Sequence, residues 1–161
     1  MTTRAIVLAH RLVLEGGSTL CPSMVAMVRR TITSLYQVGV RDVAVVDGEH
    51  AEELLERLNV HELRGMKLRC YGNLSWRQAS GSAVLVAKDF LASDESPCLV
   101  LRGDRPLERE ALAELSNTDL GSNIASICVS RPPTADLSDE VKVLLGASTK
   151  RNKNSSCLLY T

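Results

Sequence analysis

Gly81-Ser82-Ala83-Val84-Leu85-Val86-Ala87-Lys88-Asp89-Phe90-Leu91, followed after a short polar turn by Cys98-Leu99-Val100-Leu101-Arg102-Gly103-Asp104, is the stretch on which the fold is decided. Ala83, Val84, Ala87, Phe90 and Leu91 recur at three- and four-residue steps and form one helical face, with Ser80 as the expected N-cap. The helix is expected to stop before Ser93 to Pro97, and Cys98 to Arg102 then reads as a buried strand that ends on a glycine and a carboxylate. Helix, turn and strand in that order are half of a parallel α/β unit.

The same alternation extends in both directions. Ala5-Ile6-Val7-Leu8-Ala9 is apolar at consecutive positions, as a strand covered on both faces must be. Val25, Val28, Ile32 and Leu35 carry helical spacing, with Gly39 as the stop. Asp42 to Val46 is the next strand, and His50 to Leu58 a short helix expected to turn Leu54, Leu55 and Leu58 inward. Met66 to Tyr71 reads as a third strand, and Pro106 as the first turn of a helix running to about Asn117. Asn123 to Val129 and Val141 to Leu145 read as later strands, separated by the breaker Arg131-Pro132-Pro133. The expected class is therefore α/β, a three-layer Rossmann-like, mostly parallel sheet with helices on both faces, built as one domain over residues 1–161.

Composition narrows the function classes. A chain of 161 residues with 45% apolar residues can bury a continuous core. Its 19 basic and 19 acidic residues cancel, so no whole-molecule field draws it to nucleic acid or an anionic membrane. The expected partners are a small molecule or a protein patch. The five cysteines include no C-x-x-C pair, which argues against a zinc site and for a reducing compartment. The apolar run after Arg4 is too short for a signal h-region or a span, and the expected location is cytoplasmic.

In parallel α/β sheets ligands bind outside the carboxyl ends of the strands. Three such ends carry chemistry here: Ala9-His10-Arg11, Asp47-Gly48 and Gly103-Asp104. At Gly103 another group can approach the backbone, and Asp104 offers hard oxygen ligands suited to magnesium. The pair also reads as a plain turn and cap before Pro106. Ser80-Gly81-Ser82 opens a helix, where backbone N–H groups and hydroxyls can meet an anion, a ribose or a base edge.

Taken with the first strand, these motifs resemble the sugar-phosphate and alcohol-phosphate nucleotidyltransferases, whose domain is of the glycosyltransferase-A type. Within that family the chain is most similar to the cytidylyltransferases acting on inositol phosphate or phosphocholine. The likeness is spread along Ala5 to Ala9, Arg30 to Leu35 with Gly39-Val40, Val43 to Val46 with Ala51 to Leu54, Gly81 to Leu91, Leu99 to Asp104, Glu140 to Leu144 and the terminal Tyr160-Thr161. It implies attack of a substrate phosphate on the α-phosphorus of a nucleoside triphosphate, with magnesium held partly by Asp104. It further implies a nucleotide-binding set of Leu8, Ala9, His10, Ser80, Gly81, Ser82 and Gly103; Arg11, the candidate catalytic residue, is read with His10 as a substitute cation beside a displaced anion loop at Gly16-Gly17-Ser18-Thr19.

The departures concentrate in one loop. Where the family has Ala-Ala-Gly-x-Gly-x-Arg, this chain has Ala9-His10-Arg11-Leu12-Val13-Leu14-Glu15. Val13 stands where close backbone approach needs glycine, and Glu15 places a negative charge near the position of the arginine that neutralises the triphosphate. The family's Lys-Pro is Cys21-Pro22, and Gly16-Gly17-Ser18-Thr19 is neither a P-loop nor a dinucleotide fingerprint. His50, His61, Trp76 and the Lys150 to Lys153 cluster read as surface or packing residues.

Two functions from different classes follow: a magnesium-dependent nucleotidyltransferase acting on a nucleoside triphosphate and a small phosphorylated substrate, and a degenerate module of the same fold with a regulatory or scaffolding role. The apolar end Cys157-Leu158-Leu159-Tyr160 adds a third expectation, a domain incomplete at its C-terminus that exposes apolar surface and self-associates.

Overall fold

The structure is a computed structural model and describes residues 3–9, 20–59, 62–74, 80–119, 144–145 and 158–159. The chain divides into two compact units, Met1–Gly121 and Ser122–Thr161. In the first, β1 (Arg4–Leu8), β2 (Asp42–Asp47), β3 (Lys67–Gly72) and β4 (Cys98–Arg102) form a four-stranded sheet. Its order is β3-β2-β1-β4 and every pairing is parallel. Around it run α1 (Pro22–Gln37), α2 (Ala51–Leu58), α3 (Ser80–Val86), α4 (Lys88–Ala92) and α5 (Arg109–Asn117). This is the α/β Rossmann-like, three-layer arrangement expected from the alternating pattern.

Period-two alternation assigns each strand residue to a layer. Ala5, Val7, Val43, Val45 and Leu101 join Val25, Val28, Ile32 and Leu35 of α1, Leu54 and Leu58 of α2, and Leu112 of α5 in one core. Ile6, Ala44 and Val46 turn the other way, against Ala83 of α3, Phe90 of α4 and Ala87 between the two helices. Both faces of β1 and β2 are thus sealed, which is why those segments read as unbroken apolar runs. Each large aliphatic chain sealed in this way contributes about 1.5–3 kcal/mol.

Local chemistry sets the element ends. Pro22 stands in the first turn of α1, where its missing N–H costs nothing. At the other end Gly39 takes φ 93°, with Val40 N–H donating to Leu35 C=O at 3.0 Å and Gly39 N–H to Tyr36 C=O at 3.1 Å. These are the two bonds of a Schellman ending, as the glycine in the sequence implied. Arg4, the charged residue before the apolar run, is the first residue of β1 and only 3% exposed. Its guanidinium donates to the carbonyls of Phe90 and Asp94 and to the Ser93 hydroxyl, and lies over the Phe90 ring, so it caps the carbonyl end of α4.

Several details correct the sequence-based expectations. The helix expected from Ser80 to Leu91 is two helices, because Ala87 N–H bonds to Val84 C=O, a tighter three-residue step that ends one helix before the next begins. Ser80 is the first residue of α3 rather than its cap. Pro106 precedes α5 instead of opening it; the N-cap is Glu108. Leu55 is 40% exposed, because α2 turns Leu54 and Leu58, four residues apart, onto the sheet. The expected strand over 123–129 lies outside the described residues. In the second unit, β5 (Leu144–Leu145) and β6 (Leu158–Leu159) pair antiparallel. Among the described residues no helix is long and apolar enough to cross a membrane.

Candidate functional site

Parallel pairing puts all four strand C-termini on one edge of the sheet. The chain runs outward from β1 to β2 and β3 on one side, then returns to place β4 on the other side of β1. The strand order therefore reverses between β1 and β4. In open α/β sheets the loops diverge there and leave a crevice for a ligand. The register sets Leu8 opposite Arg102, so Leu8-Ala9 and Arg102-Gly103-Asp104 line the two sides of this point.

Leu8 is half-buried, and its carbonyl accepts the Gly103 N–H at 2.8 Å. Ala9 is buried and donates its N–H to Val46 C=O at 2.7 Å, extending the β1 ladder by one residue. Gly103 is buried too, and its lack of a side chain serves packing. A Cβ there would stand 2.8 Å from Val28 Cγ2 of α1, 3.2 Å from Val7 Cγ1 and 3.3 Å from the Leu8 carbonyl oxygen. The glycine lets α1 lie close against the ends of β1 and β4.

Asp104 is held by the side chain two residues before it. Arg102 Nε donates to one carboxylate oxygen at 3.0 Å and Nη2 to the other at 2.7 Å, a two-pronged, charge-assisted pair. That hydrogen-bonded guanidinium holds the Asp104 carboxyl below its ordinary value, against the opposing effect of partial burial. The acid stays ionised, and both its oxygens accept from Arg102. Among the described residues no three of His, Cys, Asp and Glu converge to hold a metal ion. Magnesium takes one or two carboxylates plus substrate oxygens. Among the described residues Asp104 is the carboxylate at this point, and a magnesium ion bound there would share its oxygens with Arg102 or displace it.

The serine-glycine motif meets the opposite end of the same edge. Ser80 and Gly81 are the first residues of α3, and the Ser82 hydroxyl accepts a hydrogen bond from Asn73 Nδ2 at 3.1 Å. Asn73 directly follows β3, is 2% exposed and donates its N–H to Asp47 C=O at 2.7 Å. Asp47 ends β2, is buried, and accepts the His50 N–H at 3.3 Å. Ser82 is thus tied to the end of β3, whereas Asp104 follows β4, three strand spacings or roughly 14 Å away across the sheet.

His10 and Arg11 lie outside the described residues. Two residues that shape the edge escaped the sequence reading, Asn73 and Arg102. Asn73 carried a usable signal, a lone amide directly after a strand-like run. Arg102 carried another, the two-residue spacing from Asp104 that sets both side chains on one side of extended chain. No protein family matches this chain, and no curated protein matches it.

Proposed function

We propose that the first unit is a nucleotide-binding module of the nucleotidyltransferase type, which takes its ligand at the strand ends between β1 and β4 and acts in regulation or scaffolding. The observation that carries this reading is the reversal of strand order at Leu8-Ala9 and Arg102-Gly103-Asp104, the place where sheets of this class take ligands. Function belongs to the site rather than the fold, and the site's own chemistry favours binding over turnover. Asp104, the carboxylate that the resemblance assigns to a metal, is paired at both oxygens with Arg102. Val13 and Glu15 stand where the family's loop has glycine and arginine.

The other reading is nucleotidyl transfer to a small phosphorylated substrate with release of pyrophosphate. It requires magnesium to share Asp104 with Arg102 or to displace it. Calorimetric titration with CTP, ATP and GTP, each with and without magnesium, separates the two. Binding that persists without the metal and yields no pyrophosphate supports the module. Binding that depends on magnesium, is abolished in Asp104→Asn and releases pyrophosphate with a phosphorylated alcohol supports the transferase. Silence with all three nucleotides refutes both.

A further inference from the structure

A concavity lies between α1 and the start of α5, and none of the candidate nucleotide- or metal-binding residues lines it. It is a shallow groove of about 510 Å³, a volume in the range of small-molecule sites, and is broadly open to solvent. Its lining is strongly one-signed for a chain of zero net charge. Arg29 and Arg30 of α1 and Arg109 of α5 face a single acid, Glu108, three positive charges against one negative, or net +2. Ser34 and Gln37, further along α1, add neutral polar groups to the same wall.

Among the described residues the partners of these cations leave the charge excess in place. Arg29 approaches Glu62 at 3.7 Å, but that carboxylate side chain is 84% exposed, and such a pair is weak and yields to a better anion. Arginines brought together on packed helices present planar forks of N–H donors that match phosphate oxygens two at a time. A net +2 pocket of this size, with more than one guanidinium, suits a ligand carrying two phosphate groups better than one carrying a single carboxylate.

We infer that the groove between α1 and α5 is a binding site for a small organic diphosphate, held by Arg29, Arg30 and Arg109. The site is independent of the nucleotide reading of the strand edge. It stands or falls separately.

The test is a titration of ¹⁵N-labelled full-length chain with inorganic pyrophosphate, followed residue by residue in heteronuclear NMR spectra. Saturable shifts are expected at the backbone and side-chain N–H groups of Arg29, Arg30 and Arg109. The double variant Arg30→Gln, Arg109→Gln is expected to weaken binding about tenfold or more. Glu108→Gln, which removes the acid from the lining, is expected to tighten it. All three positions are partly or fully exposed, and the spectrum itself reports whether each variant keeps its fold. Shifts confined to Leu8, Ala9 and Gly103 would overturn the inference while leaving the nucleotide reading intact. A double glutamine variant that binds pyrophosphate as tightly as the parent would overturn it as well.

Discussion

Gly103→Ala separates the two uses that a glycine at a strand end can have. If the residue is small so that a ligand can approach, alanine lowers affinity and leaves stability alone. If it is small so that α1 can pack, alanine destabilises the fold whatever is bound. The distances favour packing: the new Cβ would lie 2.8 Å from Val28 Cγ2, with Val7 Cγ1 at 3.2 Å and the Leu8 carbonyl oxygen at 3.3 Å. Val28 and Val7 are both fully buried, so neither can swing into solvent. Overpacking of this kind costs about 1–3 kcal/mol. The reduced freedom of the unfolded chain returns roughly 0.4–1 kcal/mol. A net loss of about 1–2 kcal/mol follows, which at ordinary urea sensitivity lowers the unfolding midpoint by roughly 0.5–1 M with no change in slope. Val28→Ala removes the atom in closest conflict. In that background the cost of Gly103→Ala is expected to shrink, giving a coupling of at least about 0.5 kcal/mol in the double-mutant cycle. The assay is equilibrium urea unfolding of the four proteins. A single variant as stable as the parent, or a cycle additive to within about 0.3 kcal/mol, refutes the packing account.

Other consequences follow from buried groups. Arg4→Lys keeps the charge but cannot reach the Phe90 and Asp94 carbonyls and the Ser93 hydroxyl together; a loss of roughly 2–3 kcal/mol is expected in thermal or urea unfolding, and parental stability would show that the α4 cap is dispensable. Burial pushes the Cys70 thiol up to about 12 and the Cys98 thiol to about 11, while hydrogen bonds from Ser23 and Met24 lower that of Cys21. Of these three, Cys21 is expected to alkylate first in the native protein at pH 8, read by peptide mass mapping; earlier labelling of Cys70 would contradict the packing of β3. Because folding favours the neutral form of Cys70 and Cys98, their contribution to stability is intact below the ordinary thiol value near 9 and is lost as pH rises from there through about 11 and 12, so urea midpoints should fall in that alkaline window.

What the chain determined by itself is local. Runs such as Ala5 to Leu8 and Val43 to Val46 are apolar at successive positions because both sides of those strands are covered, and the stripe Val25, Val28, Ile32 and Leu35 could only be one face of a helix. Gly39 ended α1 as its chemistry requires, since its positive φ is open to glycine at little cost. These signals sit within a few residues of the structure they specify. The limits of such reading show at Ala87 and Pro106, where a tightened turn and a late helix start moved the element ends by a few residues. The sequence also marked the chemistry-bearing strand ends, because polar residues directly after buried runs must emerge at a sheet edge.

Tertiary structure alone decided how those ends are combined. Nothing local to residues 4–8 or 98–102 says that β4 returns beside β1 and creates the reversal of strand order between them. The space that Gly103 leaves is filled by Val28, a residue 75 positions earlier in the chain, so its role belongs to packing between distant segments. Asp104 looks like a free ligand until Arg102 is seen to occupy both its oxygens, and the arginines of α1 gain meaning only when Arg109 of α5 is brought alongside. Secondary structure answers to neighbours in sequence, whereas a site is made by groups that burial forces together from separate elements, and that requires the whole core to form.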